Sequence, residues 1–432
     1  MPIRNSRRRP SLGLVAAITA LILSACGSSS SSSSTHAQRT TPTPATPSTP
    51  APSASHATGA AFTIGRICTC SGPAGGAGDG SVPVVAAWVK HTNAHGGLNG
   101  HPVNLITLDD AGSPTTSLQD AHQLIQGDHV MALVGGLSTA SAAWASYAQQ
   151  SGVPVIGDSA FNPPAFTNPD FYPVGAAEPA AFYGEVALAK SLGRTHIATF
   201  YCAEVAACSE IPKIIGVSAK LIGGVTQVAQ IQVSATAPSY AAPCLAAKSN
   251  NADALLIATA GEETLRIGTQ CQQEGDNALI IGGGGTFVHN VQPSAFDHAA
   301  LVSFNLPLTD TTTPGGQLFH QIMSAEAPGF LSSQLASETD SGPFAGLQMF
   351  KLVAGLAHLT PTSAPADVKR GLYMVKNQTL GGLSGPITYE PGKPTLLTCY
   401  FTTEKNGTSW TANPTPQCVP PATLAKVLAA LG

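Results

Sequence analysis

The stretch from Asn93 to Pro114 constrains the fold of this chain more than any other. Apolar periodicity before it predicts a helix over Val84–His91, and two glycines follow, as is common beyond helix C-termini. A six-residue apolar run, Val103–Leu108, then predicts a strand. With a strand predicted at Phe62–Ile67 and a further helix at Ser117–Gln126, the unit is strand, helix, strand, helix. Because strands joined by a helix lie parallel, the sequence predicts an open α/β sheet.

The same alternation continues along most of the chain. The later strands are continuous apolar runs, as expected of parallel strands that are covered on both faces. They are Val130–Val134, Val153–Ile156, His196–Tyr201, Thr226–Ile231, Ala254–Ala258 and Ala278–Ile281. The predicted helices between them are Ser141–Gln150, Glu210–Ile222, a helix around Cys244, and Glu262–Glu274. The alternation of strands and helices begins again near Glu178–Tyr183, which predicts a second lobe. Leu301–Leu308 and Ser341–Leu359 are predicted crossings back to the first lobe, and Gly381–Glu390 is predicted as a turn and strand.

Residues 1–25 have the composition of a secretory signal. They contain four arginines and no acidic residue, followed by an apolar run, Leu12–Leu23, that is too short to span a membrane in the mature chain. The run ends in Leu23-Ser-Ala-Cys-Gly27, which resembles the bacterial lipoprotein box. Cys26 is therefore predicted to carry lipid and to anchor the chain to a membrane. A plain signal peptide with a chance cysteine is the alternative.

Residues 26–60 are predicted to form a disordered tether. After the cysteine they are almost entirely Ser, Thr, Pro and Ala, including seven consecutive serines, so they hold too little apolar surface to offset their ordering entropy. Beyond the predicted signal the chain has 16 basic and 24 acidic residues, a net charge of about −8. This balance argues against nucleic acid as a partner, because phosphates need a basic face.

The eight cysteines after Cys26 predict disulfides, because their number is even and the chain is exported. Proximity, or a position on the helices that flank one strand, suggests three pairings. They are Cys202–Cys208, Cys399–Cys418 and Cys244–Cys271. Cys68 and Cys70 remain, and since a pair separated by one residue closes only with strain, cross-pairing with Cys202 and Cys208 stays open. None of the twelve histidines lies at a spacing typical of zinc sites, so we predict no metal and no cofactor.

Five motifs, in order between Phe62 and Cys418, resemble the leucine/isoleucine/valine-binding protein family, the type I solute-binding proteins of ABC transporters. They are Cys70-Ser-Gly-Pro73, Asn93-Ala-His-Gly-Gly-Leu-Asn-Gly100 with Asp109-Asp110 and Pro114, Val134-Gly-Gly-Leu-Ser-Thr139, Gly152-Val-Pro-Val-Ile156 and Leu383-Ser-Gly-Pro-Ile-Thr-Tyr389. The resemblance implies a type I periplasmic-binding-protein fold, in which two Rossmann-like lobes are joined by three crossover segments and close on a small ligand. We assign residues 61–178 and 306–381 to the N-terminal lobe, residues 179–305 and 382–418 to the C-terminal lobe, and residues 419–432 to a tail or helix.

Ligands of open α/β sheets bind beyond the carboxyl ends of the strands. These ends place four side chains among the candidates for ligand binding, namely Ser71, Tyr201, Glu204 and Glu262. The predicted helix after Thr139 begins with N–H groups that lack intrahelical partners and attract anions. In the resembled family this region and the residues after the Val-Pro strand hold the ligand's carboxylate. The resemblance implies that the corresponding residues here bind the ligand, namely Ser138, Thr139, Ser159, Ala160 and Asn162. Ordinary helix capping by Ser138 or Thr139 is the alternative.

The second lobe departs from the family pattern. Amino-acid binders of the family place a tyrosine and a carboxylate there to hold the ligand's ammonium group. The matching strand ends here carry Ala206, Ala260 and the run Gly282–Gly285, while Glu263 and its acidic neighbours lie nearby without falling on the matching positions. An ammonium group left unpaired in a closed cleft costs several kcal/mol. The expected ligand is therefore an amino acid or a related small carboxylate or amide, with the choice open.

These patterns predict an extracytoplasmic substrate-binding lipoprotein of an ABC importer, on the outer face of the cytoplasmic membrane. Its expected partners are a small-molecule ligand and the transporter permease, and we expect a monomer that works by hinge closure. An enzyme is not expected, because no Gly-X-Ser-X-Gly nucleophile or complete phosphate loop occurs, and Asp109-Asp110 suit a turn better than catalysis. A ligand-sensing protein that presents to a membrane receptor is the alternative.

Overall fold

The computed structural model describes residues 57–283, 293–333, 335–337 and 340–430. The predicted signal, the lipidation site Cys26 and most of the tether lie outside the described residues, as do two of the four glycines of the Gly282–Gly285 run. No helix within the described ranges combines the length and the apolar character needed to cross a membrane.

The first sheet has five parallel strands in the order β2-β1-β3-β4-β5. Its strands are β1 (Phe62–Cys68), β2 (Val103–Asp109), β3 (Leu133–Val134), β4 (Val155–Ile156) and β5 (Phe171–Tyr172). The helices that connect them are α1 (Ser81–Ala94), α2 (Pro114–His122), α3 (Ala145–Gln150) and α4 (Pro164–Thr167). The predicted strand–helix–strand–helix unit is thus confirmed, although β3 and β4 are shorter than their apolar runs.

The second sheet has seven strands in the order β12-β11-β10-β9-β8-β6-β7. They are β6 (His196–Cys202), β7 (Thr226–Val233), β8 (Ala254–Ala258), β9 (Leu279–Gly283), β10 (Ala300–Ser303), β11 (Cys399–Asn406) and β12 (Ser409–Cys418). The helices of this lobe are α5 (Glu178–Ser191), α6 (Ile211–Ile222), α7 (Ala241–Ser249), α8 (Gly261–Gln273) and, at the C-terminus, α12 (Pro421–Ala429). Strands β6 to β10 are parallel, and β11 and β12 add an antiparallel hairpin to the edge. The predicted two-lobed α/β fold is confirmed.

Three further helices return to the first lobe, namely α9 (Pro314–Glu326), α10 (Ser341–Leu356) and α11 (Pro365–Leu372). The prediction that Ser341–Leu359 is a crossing is wrong, because α10 packs its buried face on β3 and β4. Glycines permit this approach: a Cβ on Gly157 would lie 2.6 Å from the Cα of Gly346 in α10.

The predicted strand at Gly381–Glu390 is also wrong. The segment holds a short 3₁₀ turn at Leu380–Gly382 and one isolated bridge between Gln378 and Ile387. Leu380, which would take part in the next hydrogen-bonded pair of this ladder, has a φ of +53° and begins the 3₁₀ turn, so the pairing stops at the bridge. Ile387 lies in the hydrophobic core of the first sheet, although our division of the sequence assigns it to the C-terminal lobe.

Three segments cross between the lobes and are hydrogen-bonded to one another. The side chain of Asn305, just after β10, donates to the carbonyl oxygens of Val174 (2.8 Å) and Leu383 (3.3 Å), which lie on the two other crossings. The backbone N–H of Ala176 donates to the carbonyl of Phe304 at 2.9 Å. These contacts form one connected hinge between the two sheets.

Four disulfides occur in the described residues. Three of them, Cys202–Cys208, Cys244–Cys271 and Cys399–Cys418, are the pairings suggested by the sequence. The fourth joins Cys68 to Cys70, so the alternative in which these two pair with Cys202 and Cys208 is wrong. Cys68 and Cys70 lie at the end of β1, where the turn into the next loop brings their Cα atoms to 5.3 Å.

Candidate ligand-binding site

A cavity of about 130 Å³ lies between the two lobes. Its walls are formed by the residues that follow the strands of both sheets, together with the first two turns of α5. This is the position expected for ligands in open α/β sheets, because the carboxyl ends of parallel strands meet at one edge. The first lobe contributes Pro73, Ala74, Thr139, Phe161 and Asn162.

Asp110 organises the first-lobe wall. Its buried carboxylate accepts hydrogen bonds from the hydroxyl groups of Thr69 (2.7 Å), Ser117 (2.8 Å) and Ser138, and from the N–H of Gly112 at 2.8 Å. The four donors come from three different loops and from the start of α2. Asp110 therefore holds the loops behind the cavity together.

Asp109 stabilises the adjacent turn and does not face the cavity. Its Oδ1 accepts from the N–H groups of Cys70 and Ala111, each at 3.0 Å. Burial alone would raise the pKa of Asp109, but hydrogen bonds from Ser71 and from these backbone groups lower it. The Asp109-Asp110 pair thus forms a turn, as the sequence suggests.

Two of the residues carried over from the resembled family, Thr139 and Asn162, line the cavity. Ser138 does not, because it is fully buried and its hydroxyl is engaged with Asp110. Ser159 and Ala160 lie beside a separate space of about 30 Å³ next to the hinge. These three positions are therefore behind the wall of the cavity rather than in it.

The structure does not place the start of a helix directly after Thr139, where the sequence predicted an anion-attracting helix N-terminus. Residues Ser141–Ala143 form a 3₁₀ turn, and α3 begins only at Ala145. The N–H of Thr139 donates to Thr69 Oγ1 at 2.9 Å, and the N–H of Ala140 donates to Ser138 Oγ at 3.0 Å. Both donors are thus already satisfied within the protein.

Among the candidates proposed for strand ends, only Glu204 lines the cavity. Its Oε1 accepts from the hydroxyl of Ser234 (2.7 Å) and the N–H of Ala235 (2.8 Å), and these bonds lower the pKa of Glu204 against the opposing effect of burial. Ser71 and Glu262 are exposed elsewhere, and Tyr201 packs against the core of the second lobe. The neighbour of Glu262, Glu263, faces the cavity instead.

Three further carboxyl groups line the second-lobe wall, at Glu178, Glu185 and Glu263. Burial raises the pKa of Glu178 to about 8. Burial and the nearby Glu204 raise the pKa of Glu263 to about 7, although a hydrogen bond from Tyr240 opposes the shift. Glu185 is fully buried, and burial together with repulsion by Glu178 raises its pKa well above the ordinary value.

Sequence reasoning missed Glu178 and Glu185, and it did not place Glu263. Glu178 begins α5, the first helix after the chain enters the second lobe, and Glu185 follows seven residues later. A spacing of seven places two residues on the same helix face. The recurrence of glutamate at this spacing in an otherwise apolar helix was the available signal.

The remainder of the cavity wall is mostly apolar. It includes three aromatic rings, those of Phe161, Phe182 and Phe304, and the Cys202–Cys208 disulfide. Phe161 and Phe304 meet edge to face, with ring centroids 5.1 Å apart, and they close the cavity on the hinge side. Within the described part of the chain, no group of His, Cys, Asp and Glu side chains is arranged to hold a metal ion.

Two α/β lobes with a small cavity between them and three connected crossings define a two-lobed solute-binding protein. The family model for periplasmic binding proteins matches residues 61–408, and the chain belongs to this family. The resemblance to the leucine/isoleucine/valine-binding proteins is thereby confirmed, and the family and the fold indicate a binding function outside the cytoplasm. A comparison with curated proteins finds no match.

Solved structures with the same fold are similar over nearly their whole length. A substrate-binding periplasmic protein from Ralstonia solanacearum is 14% identical, with a TM-score of 0.69 over 82% of this chain and 100% of that chain. A leucine binding protein from Thermotoga maritima is 17% identical, with a TM-score of 0.67 over 84% of this chain and 99% of that chain. An ABC transporter solute-binding protein from R. palustris, in complex with benzoate, is 16% identical, with a TM-score of 0.67 over 84% of this chain and 98% of that chain.

Proposed function

We propose that this protein is the substrate-binding component of an ABC importer and is held on the outer face of the cytoplasmic membrane by a lipid on Cys26. It binds a small solute between its lobes and delivers it to the permease. The observation that carries this proposal is the cavity itself, which takes its lining from both lobes and lies beside the hinge. The proposal includes a binding role without catalysis, and a monomer.

Closure follows from the position of the cavity. A ligand that contacts Thr139 on one wall and Glu204 on the other gains its full set of contacts only when the lobes are together. It therefore stabilises the closed state by its differential affinity for that state. The hydrogen-bonded crossings let the lobes rotate as units, since the change in dihedral angles is confined to a few residues.

The solutes proposed are amino acids and related small carboxylates or amides. The relatives with leucine and benzoate in their names support this range. The cavity is small and largely apolar, so a compact ligand with one or two polar groups fits it better than a sugar, which needs many hydrogen-bond partners.

A thermal-unfolding screen of the purified protein against amino acids, amines, amides, sugars and organic acids tests the proposal. A true ligand at a hundredfold excess over its dissociation constant adds about 2.7 kcal/mol to the unfolding free energy, which raises the melting temperature by a few degrees. Small-angle scattering of the same sample should show a smaller radius of gyration with the ligand bound.

Two variants sharpen the test. Thr139→Ala removes a hydroxyl group from the cavity wall and should weaken binding severalfold, whereas Ser71→Ala, outside the cavity, should leave affinity unchanged. A screen in which no small molecule raises the melting temperature would overturn the proposed function.

A further inference from the structure

We propose that the cavity selects an organic cation, a small amine with an apolar body, over a zwitterion or an anion. This inference rests on the proposed binding of a small solute between the lobes, and it replaces the amino acids and carboxylates of the proposed range by amines. It follows from the charges that line the cavity, from one unpartnered buried carboxyl group, and from the hydrogen bonds already made by the opposite wall.

The described lining residues carry negative or potentially negative charge only. Four of them are glutamates, and none is lysine, arginine or histidine. Arg266, whose charge lowers the pKa of Glu263, donates to the carbonyl oxygens of Ala235 (2.8 Å) and Ala237 and lies over the ring of Tyr240. It is therefore engaged outside the cavity and does not offer its guanidinium to a carboxylate ligand.

Glu185 is the group that points to a ligand. Its side chain is fully buried, it lines the cavity, and neither of its carboxyl oxygens has a hydrogen-bond partner in the described part of the chain. Gly283 makes room for it, since a Cβ there would stand 2.7 Å from Glu185 Oε1. A buried polar group without a partner is costly, and an ammonium group of the ligand would donate a hydrogen bond to Glu185 and favour its ionised form.

Most of the hydrogen-bond donors on the opposite wall are already engaged within the protein, and that wall carries no cation that could balance an anionic group. The N–H groups of Thr139 and Ala140 donate to hydroxyl groups of the protein. The amide nitrogen of Asn162 donates to the carbonyl of Ser138 at 2.7 Å, and the N–H of Phe161 donates to Ser159 Oγ at 3.3 Å. A ligand carboxylate would find the second amide N–H of Asn162 and the hydroxyl of Thr139 here but no countercharge, whereas an apolar group needs neither.

The apolar part of the ligand is set by the size and the aromatic lining of the cavity. Its volume of about 130 Å³ is close to that of a protein cavity of ~150 Å³ that binds benzene. The three phenylalanine rings can also attract a cation through their faces. A single ring or a branched chain of similar size, bearing one amine, matches both features.

A charge series on one ring tests the inference. Benzylamine, benzyl alcohol, benzoate and phenylglycine share an aromatic ring and differ in being cationic, neutral, anionic and zwitterionic. Isothermal titration calorimetry of the purified protein should give benzylamine, or its aliphatic analogue cyclohexylamine, an affinity at least about tenfold higher than benzoate or phenylglycine.

Variants of the cavity wall separate charge from shape. Glu185→Gln keeps the size of the side chain and should weaken benzylamine binding about tenfold, while benzyl alcohol changes by less than about twofold. Glu262→Gln, one residue before the cavity-lining Glu263 and exposed, is the matched control and should change neither affinity. Glu263→Gln provides a second test of the same kind if the Glu185 variant does not fold.

The outcomes distinguish the two proposals. If benzoate or phenylglycine binds as tightly as the amines, or if Glu185→Gln and Glu263→Gln leave amine binding unchanged, the inference is overturned while the proposed function stands. If no compound of any charge binds, in this series or in the wider screen, the proposed function fails and the inference fails with it.

Discussion

Asp110 shows how much of the site depends on a residue that no ligand would touch. Its carboxylate is completely buried and accepts four hydrogen bonds, three from hydroxyl groups and one from a backbone N–H. Hydrogen bonds to a charged group contribute more than neutral ones, and each donor left alone in the interior is costly. The loops around Thr69 and Ser138, which bear the first-lobe wall, are thus held in place by one carboxylate.

Replacing Asp110 by alanine should lower the unfolding free energy by about 3 kcal/mol or more, because three buried hydroxyl groups and one half-buried N–H lose their acceptor. Equilibrium unfolding in urea would measure the change. Asp109→Ala is the matched control: it removes the neighbouring carboxylate, which is exposed, and should cost clearly less. Equal losses in the two variants would contradict the role assigned to Asp110.

Glu262 and Glu263 show why the sequence located part of the site and missed the rest. Both lie in the first turn of α8, which follows β8. The rule that ligands bind beyond the carboxyl ends of strands therefore predicted that this turn lies near the ligand. Adjacent residues on a helix point about 100° apart, however, and only the packing of α8 decides which of them faces inward. Glu263 is buried at the cavity and Glu262 is exposed, a difference that the pattern of two adjacent acids could not predict.

At the scale of elements, the helix α5 carries two of the four glutamates that line the cavity. It runs beside β9, β10 and β11 and presents Glu178 and Glu185, two turns apart, to the cavity. Apart from Glu185, the buried residues of α5 are apolar or glycine, which lets the helix pack closely on the sheet but leaves the two carboxyl groups poorly solvated. The helix therefore favours their protonated forms.

The stability of the ligand-free protein should fall as the pH rises from about 5 to about 8. The folded pKa is about 8 for Glu178 and about 7 for Glu263, above the ~4.3 of an unfolded glutamate, so the folded state binds more protons in this window. Carboxyl groups with lowered pKa values, such as Glu204, act in the opposite direction but only in more acidic solution.

Urea unfolding at a series of pH values would measure this slope. Glu263→Gln should flatten it, because the substituted side chain does not titrate, and Glu262→Gln should not. Stability that rises between about pH 5 and pH 8 would contradict the prediction.

Several strands could be predicted from continuous apolar runs, although the runs at Val130–Val134 and Val153–Ile156 yield strands of only two residues. β1, β2, β6 and β8 follow their predicted ranges closely. The run at Gly381–Glu390 failed because a strand is completed by its neighbour, and Ile387 finds only one bridging partner in this segment. The helix α10 was taken for a crossing because its buried face is so extensive that no amphipathic period marks it.

On the scale of the whole molecule, the sequence predicted the sheet edge at which the cavity lies, but it did not predict most of the residues that line the cavity. Parallel strands place their carboxyl ends together, and Glu204 from that argument lines the cavity, as do Thr139 and Asn162 from the family resemblance. The remaining wall comes from α5 and from Phe304, which follow the crossings between lobes. Their position depends on how the chain passes through the hinge, and no local pattern records that path.

The membrane attachment that we propose depends on Cys26, which lies outside the described residues. In a bacterial host that processes lipoproteins, Cys26→Ala should abolish lipid attachment, so the exported protein should appear in the soluble extracytoplasmic fraction. Cell fractionation followed by immunoblotting would measure this, with Cys70→Ala, downstream of the predicted cleavage site, as the control. Retention of the Cys26→Ala protein in the membrane fraction would refute the anchor.

The four disulfides have a mechanical consequence for the molecule. Cys68–Cys70 closes a turn of the first lobe, and the other three bridges join elements of the second. None of these four cross-links ties one lobe to the other, and the crossings are joined instead by hydrogen bonds such as those of Asn305. Disulfides formed in an oxidising compartment therefore stiffen each lobe without adding a cross-link across the hinge, so they leave the proposed hinge closure unrestricted.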